Sequence, residues 1–139
     1  MTEIEKGHDN QRRGMVNEYK VAVYLLEKGY DVAKPYLDEQ KYDILVDFGN
    51  GFERVQVKTG REINGIVRCR VQKRKYNTTI LQQYTDKEID SFIIFCQDNN
   101  KLYRIGIEEY RGTVDVCLRV QAPKNNQKAS ILWAKDFEI

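Results

Sequence analysis

Two stretches, Tyr42-Asp43-Ile44-Leu45-Val46-Asp47 and Glu53-Arg54-Val55-Gln56-Val57-Lys58, alternate apolar and polar residues at the two-residue period of a half-buried strand. Phe48-Gly49-Asn50-Gly51-Phe52 joins them, and Asn50-Gly51 is the strongest short hairpin signal in the chain. With Asn50 and Gly51 as the central turn residues, Ile44 faces Val57 and Val46 faces Val55, which gathers four β-branched residues on one buried face. The other face then carries Asp43 opposite Lys58, Leu45 opposite Gln56 and Asp47 opposite Arg54. A two-residue slip sets Asp43 opposite Gln56 and keeps the faces, whereas a one-residue slip destroys the hydrophobic match. In either permitted register Asp43, Gln56 and Lys58 share a face.

That trio suits a hard divalent cation working on a phosphodiester. Mg²⁺ takes oxygen ligands and keeps several waters, so one carboxylate and one or two carbonyl oxygens can hold it. The cation lowers the pKa of a bound water, while a neighbouring lysine orients the water and screens charge developing on the phosphate. The plainer reading makes Gln56 and Lys58 ordinary polar positions on a half-exposed strand. Glu18 weighs against it. On a helical wheel Glu18 falls between Ala22 and Leu25, at the shoulder of the apolar face, where a carboxylate without a partner is costly. A helix packed on the hairpin would bring it beside Asp43 as a second carboxylate; a snorkelling or salt-bridged glutamate is the alternative.

The elements that must position these residues follow from periodicity. Met15, Tyr19, Ala22 and Leu26, widened by Val16, Val23 and Leu25, predict a helix from about Gln11 to Lys28 that Gly29 ends. Tyr30 to Lys34 reads as a strand closed by Pro35, and Ile66 to Val71 as a strand whose Arg68 and Arg70 share one face while Val67, Cys69 and Val71 share the other. After a polar stretch come strands at Asp90 to Gln97, Leu102 to Ile107 and Val114 to Val120. One long helix, about four strands, a polar segment and about three more strands make an α+β fold with a mixed central sheet. There is no repeat and no Pro/Gly/Ser linker, so residues 1–139 read as a single domain.

Composition narrows the class. In 139 residues, 41% hydrophobic and 32% charged residues with two prolines exclude a disordered or collagen-like chain. No apolar run reaches the ~18 residues of a membrane span, and the charged start lacks the apolar core of a leader. Cys69, Cys96 and Cys117 are odd in number without CxxC spacing, which argues for packing and a cytoplasmic location over disulfides or structural zinc. Net charge is only +2, but its distribution is uneven. Lys58, Arg61, Arg68, Arg70, Lys73, Arg74 and Lys75 precede Tyr76 with only Glu62 among them, the footprint of a polyanion site or, more plainly, of a solvated pair of strands. Arg12 and Arg13, just ahead of the helix periodicity, can touch phosphate or be a helix-start accident, and His8 reads as a solvated terminal residue. Tyr76 to Tyr84 would add aromatic and polar groups for reading bases.

In order, Gly14-x-x-x-Glu18 on a helix, Gly29-Tyr30-Asp31-Val32, Pro35, Tyr42-Asp43-Ile44-Leu45-Val46-Asp47 and Val55-Gln56-Val57-Lys58-Thr59 resemble the PD-(D/E)XK nuclease superfamily. Within it the chain is most similar to small endonucleases associated with group I introns, and next to archaeal Holliday junction resolvases. The intron-associated likeness runs on through Tyr84-x-Asp86, Ile89-Asp90-x-Phe92-Ile93 and Trp133-Ala134-x-Asp136-Phe137. The resemblance implies an α/β/α-like restriction-endonuclease core, a central sheet flanked by the N-terminal helix and shorter helices. It implies Asp43 as metal-binding aspartate, Lys58 as motif lysine, Glu18 as accessory acid and the Val57 carbonyl as a further ligand. Gln56 stands where the commonest pattern has an acid, as in some active intron-associated lineages. The implied activity is Mg²⁺-dependent cleavage of duplex DNA, with Mn²⁺ as a substitute cation, of the sequence-specific homing type. A junction resolvase and a decayed DNA-binding protein are the alternatives. Cutting two strands asks for a homodimer or homotetramer, with Asp90 to Gln97 and Val114 to Val120 as the expected interface.

Overall fold

Residues Glu3–Glu27 form one long helix, α1, in a computed structural model that describes residues 2–37, 39–74, 78–110, 112–125 and 131–139, the side chain of Arg74 excepted. The helix starts eight residues before the apolar periodicity because Thr2 caps it. The Thr2 hydroxyl accepts from the Glu5 amide at 3.1 Å, and the Glu5 carboxylate accepts from the Thr2 amide at 2.6 Å, a capping box. At the other end the Gly29 and Tyr30 amides donate back to the Leu26 and Leu25 carbonyls, so Gly29 does end the helix. The buried stripe is Asn17, Val21 and Leu25; Met15, Tyr19 and Leu26, expected inside, are exposed. The helix carries apolar side chains on two sides, so periodicity alone could not say which one meets the sheet.

Among the described residues nine strands follow: β1 (Asp31–Ala33), β2 (Ile44–Asp47), β3 (Phe52–Ile63), β4 (Ile66–Arg70), β5 (Lys73–Arg74), β6 (Leu81–Gln82), β7 (Ser91–Cys96), β8 (Lys101–Gly106) and β9 (Asp115–Arg119). The main sheet runs β1-β2-β3-β4-β9, with β7 beside β3 and β8 beside β7; β5 and β6 pair separately. All these pairs are antiparallel except β3 with β7, which makes the sheet mixed as expected. The shorter helices are two 3-10 turns, Ile107–Glu109 and Ala134–Asp136.

The twelve-residue β3 organises the fold. Its first part pairs β2, its middle runs along β7, and its last three residues pair β4. At Gly60, between the last two regimes, a Cβ would stand 2.9 Å from Ile94 Cγ2, so only glycine lets the strand pass β7 this closely. Two cores result. Val21 and Leu25 of α1 pack on Ile44, Val46, Val55, Ile93 and Phe95. Val67, Cys69, Val116 and Leu118 pack with Phe92, Ile94, Tyr103, Ile105 and Tyr84 on the other side.

The hairpin takes the two-residue slip. Ile44 pairs Val55, Leu45 pairs Arg54, and Asp47 pairs Phe52, so the expected opposition of Asp47 and Arg54 does not form. A type I′ turn at Asn50-Gly51 needs positive φ at both residues, yet only Gly51 (φ 97°) has it, together with Gly49 (φ 122°). The Asp47 carboxylate rewrites the turn by accepting from the amides of Gly49 at 2.7 Å and Gly51 at 3.2 Å. Arg54 instead reaches Asp90, with Nε and Nη2 at 3.1 and 3.0 Å from its carboxylate oxygens, and donates to the Asp86 and Lys87 carbonyls.

The expected interface at Asp90 to Gln97 is overturned in the same way. Every residue of β7 is buried, because the strand is flanked by β3 and β8 and covered on both faces. The chain end also protects β8: the Ile139 amide donates to Leu102 and the Arg104 amide to Phe137.

Candidate active site

The site forms where β2 stops and β3 continues. Asp43 sits one residue before β2, with its amide on the Val55 carbonyl at 2.8 Å. Its Oδ2 accepts from the Val57 amide at 2.9 Å. In a strand the N–H and C=O of one residue leave on the same side, so the Val57 carbonyl also faces the gap beyond β2, beside the Asp43 carboxyl. Strand alternation puts Gln56 and Lys58 on the face away from Val55 and Val57, toward the second core. Gln56 makes no side-chain hydrogen bond among the described residues.

Glu18 approaches from α1 and lines one cleft with Met15, Lys34, Pro35, Leu37, Tyr42 and Asp43. Sequence reasoning missed its partner: Lys34 Nζ lies 2.8 Å from the Glu18 carboxylate and 4.6 Å from the Tyr19 ring centroid. The glutamate pair holds the Lys34 ammonium above its ordinary pKa. Burial pushes the Asp43 carboxyl up to about 6, and the Glu18 charge adds to the rise. The Val57 amide, Lys58 and Lys34 oppose it.

Lys58 is also half-buried, and desolvation lowers its pKa against the pull of Cys69 and Asp43. Its Nζ lies 5.4 Å from the centre of the Tyr84 ring, and Lys73 Nζ lies 5.0 Å from that ring. Tyr84 is therefore a buried floor under the lysines, not a base-reading aromatic; burial first, then the Asp43 and Glu88 charges, push its phenol up to about 12. The Tyr84-x-Asp86 likeness marked the residue in the sequence without giving it this role.

The basic ribbon divides. Arg68 and Arg70 are exposed while Val67 and Cys69 are buried, as alternation requires. Arg61 stands opposite Arg68 across β3 and β4 but is held by Asp98 at 3.0 and 3.2 Å. Arg70 lies 3.9 Å from Asp115, and Lys73 pairs with Glu88. Arg12, Arg13 and Arg68 are exposed and have no ion pair among the described residues. Lys75 and the Arg74 side chain lie outside the described residues. His8 is exposed on α1, Cys69 and Cys96 are buried, and Cys117 is exposed; all three thiols are free.

The donors facing the gap are oxygens: the Asp43 carboxylate, the Val57 carbonyl and, alongside, the Glu18 carboxylate. No group of three or more His, Cys, Asp or Glu side chains capable of holding a metal occurs among the described residues. Such a donor set fits a hard cation that keeps part of its water shell and does not fit zinc.

No curated protein matches the chain. Among solved structures it is similar to a bacterial homing endonuclease, I-Ssp6803I, with a TM-score of 0.69 and 18% identity over 92% of this chain and 87% of that one, a likeness of fold. The family model for PD-(D/E)XK endonucleases matches residues 8–139, and the chain belongs to that family.

Proposed function

We propose that the protein is a Mg²⁺-dependent endonuclease that hydrolyses phosphodiester bonds in duplex DNA, of the sequence-specific homing type, acting as a homo-oligomer in the cytoplasm. The supporting observation is the meeting of the Asp43 carboxyl, the Val57 backbone and the half-buried Lys58 at the end of β2, under a carboxylate from α1. Free thiols and the absence of a long apolar helix among the described residues accord with that setting.

Asp43 and the Val57 carbonyl would hold the cation, with the Gln56 amide oxygen completing the protein ligands; Mn²⁺ suits the same oxygens. When bound, the cation supplies an acidified water and neutralises charge on the scissile phosphate. Lys58, made less basic by burial, would donate toward the phosphoryl oxygens as charge builds. Tyr84 fixes the Lys58 ammonium from below. Glu18 acts as an accessory acid, its charge balanced by Lys34. Arg12 and Arg68, exposed and free of internal acids among the described residues, are the best phosphate contacts; Arg13, Arg61, Arg70, Arg74 and Lys75 extend that set, while the Glu88 pair ties Lys73 to the fold.

Incubation with plasmid and with branched DNA, in Mg²⁺ or EDTA, tests the reading. Linear duplex cut at defined positions only with Mg²⁺, and no cutting by folded Asp43→Ala or Lys58→Ala, is expected. Wild-type-like cleavage by both variants would remove the assignment, and cutting confined to branched DNA would replace homing-type cleavage with junction resolution.

A further inference from the structure

The helix α1 presents two apolar stripes, and its own sheet covers only one. Asn17, Val21 and Leu25 face the sheet. On the opposite side Val16, Tyr19, Val23 and Leu26 remain 46%, 55%, 51% and 56% exposed. These four are spaced three, four and three residues apart, the spacing of a two-helix seam. Val16, Tyr19 and Val23 line a shallow, almost wholly apolar groove with Lys20 and Tyr24. Large apolar side chains on successive turns of a helix mark a contact surface, not scattered exposure.

We infer that this stripe pairs with the same stripe of a second copy of the chain, the two α1 helices lying antiparallel about a twofold axis near Val21. In that register Val16 shares a layer with Leu26 of the second copy, and Tyr19 shares one with Val23, so every seam position meets an apolar side chain. Charge selects the same arrangement. Arg13 and Glu27 lie on one flank of the stripe, both exposed and without ion pairs among the described residues. Antiparallel pairing sets Arg13 beside Glu27 of the second copy, twice over by symmetry, and leaves only Lys20 near its own mate at the axis. Parallel pairing of the same seam would set Lys20 against Met15 and Glu27 against Ala22, with no ion pair. The arrangement rests on the homo-oligomer of the proposed function and locates the contact that reading leaves open.

The test uses the full chain without DNA or metal, so its failure would leave the nuclease reading standing. Sedimentation should show a dimer, or an even multiple, at micromolar concentration. Val23→Glu, which alters no residue of the internal cores, should halve the measured mass with an unchanged circular dichroism spectrum. Arg13→Glu and Glu27→Arg should each weaken association by about tenfold, and the double exchange should restore most of it, because the pairs re-form with reversed sign. A monomer at about 100 μM, an assembly indifferent to Val23→Glu, or a double exchange no better than its single components would each overturn the inference. The charge exchange decides the matter even if Val23→Glu disturbs folding.

Discussion

Replacing Asp43 by Asn should make the metal-free protein more stable while abolishing cleavage. Asp43 is half-buried, and burial together with the Glu18 charge raises its pKa from 3.8 to about 6. The sign follows from linkage. Below about pH 4 both folded and unfolded chains hold the proton, and the group costs nothing. Between about pH 4 and 6 the unfolded chain ionises first, so stability falls as pH rises, and the loss levels off above the folded pKa. A shift of about two units corresponds to about 3 kcal/mol, or roughly 10 °C in melting temperature for a domain of this size. Asparagine keeps an oxygen for the Val57 amide and carries no charge to bury.

The assay is urea denaturation of both proteins in EDTA at pH 4.5 and pH 8. The Asn variant should gain about 1 kcal/mol at pH 4.5 and nearly all of the ~3 kcal/mol at pH 8. Added Mg²⁺ at pH 8 should then stabilise the wild type, whose carboxylate it would neutralise, and leave the variant unmoved. An offset between the two proteins that is the same at both pH values, or a variant less stable at pH 8, would refute the argument that Asp43 is held at a cost.

Gln56 tests the ligand set: Gln56→Glu should keep cleavage at lower Mg²⁺, whereas Gln56→Ala and Gln56→Lys should lose it, as read by Mg²⁺ titration of plasmid nicking. Equal activity of the Lys variant would show that the amide ligates nothing. Arg54→Met removes four side-chain hydrogen bonds to Asp86, Lys87 and Asp90 and should cost about 1–2 kcal/mol at pH 7. Because Arg54 holds the Asp90 carboxyl below its ordinary pKa, that difference should shrink as pH falls below about 4, which acid titration of denaturation midpoints will check. Thiol labelling of the native protein at pH 8 should modify Cys117 quickly and leave Cys69 and Cys96 untouched, since burial pushes the Cys69 thiol up to about 12. Three equally fast thiols would contradict the packing of the second core.

What the sequence made legible was the period of each strand and the sharing of a face by Asp43, Gln56 and Lys58, because alternation survives any even slip. What it hid came from elsewhere in the chain. Lys34 and Tyr84 reach the site from segments whose likeness to the family gave neither residue a role, and the start of α1 is polar because its first turns are exposed, so periodicity missed them. A run such as Phe92 to Cys96, apolar at every position, signals cover on both faces, which leaves no surface for the interface expected there.

The choice between the two permitted registers carries the most meaning. With a two-residue turn at Asn50-Gly51, Val57 would sit opposite Ile44 inside the ladder and not beyond its end. The observed slip ends the ladder at Val55 and leaves the Val57 backbone to a carboxylate, with its carbonyl facing the same gap. The slip is set by Asp47, which folds Gly49 and Gly51 onto its own carboxylate and lengthens the loop. Asp47→Ala would release that loop, and with it the reason for β2 to stop short of Val57. A hairpin that re-registered by two residues would keep every buried face and dismantle the Asp43–Val57 contact, so the candidate site depends on a turn residue that touches none of its groups.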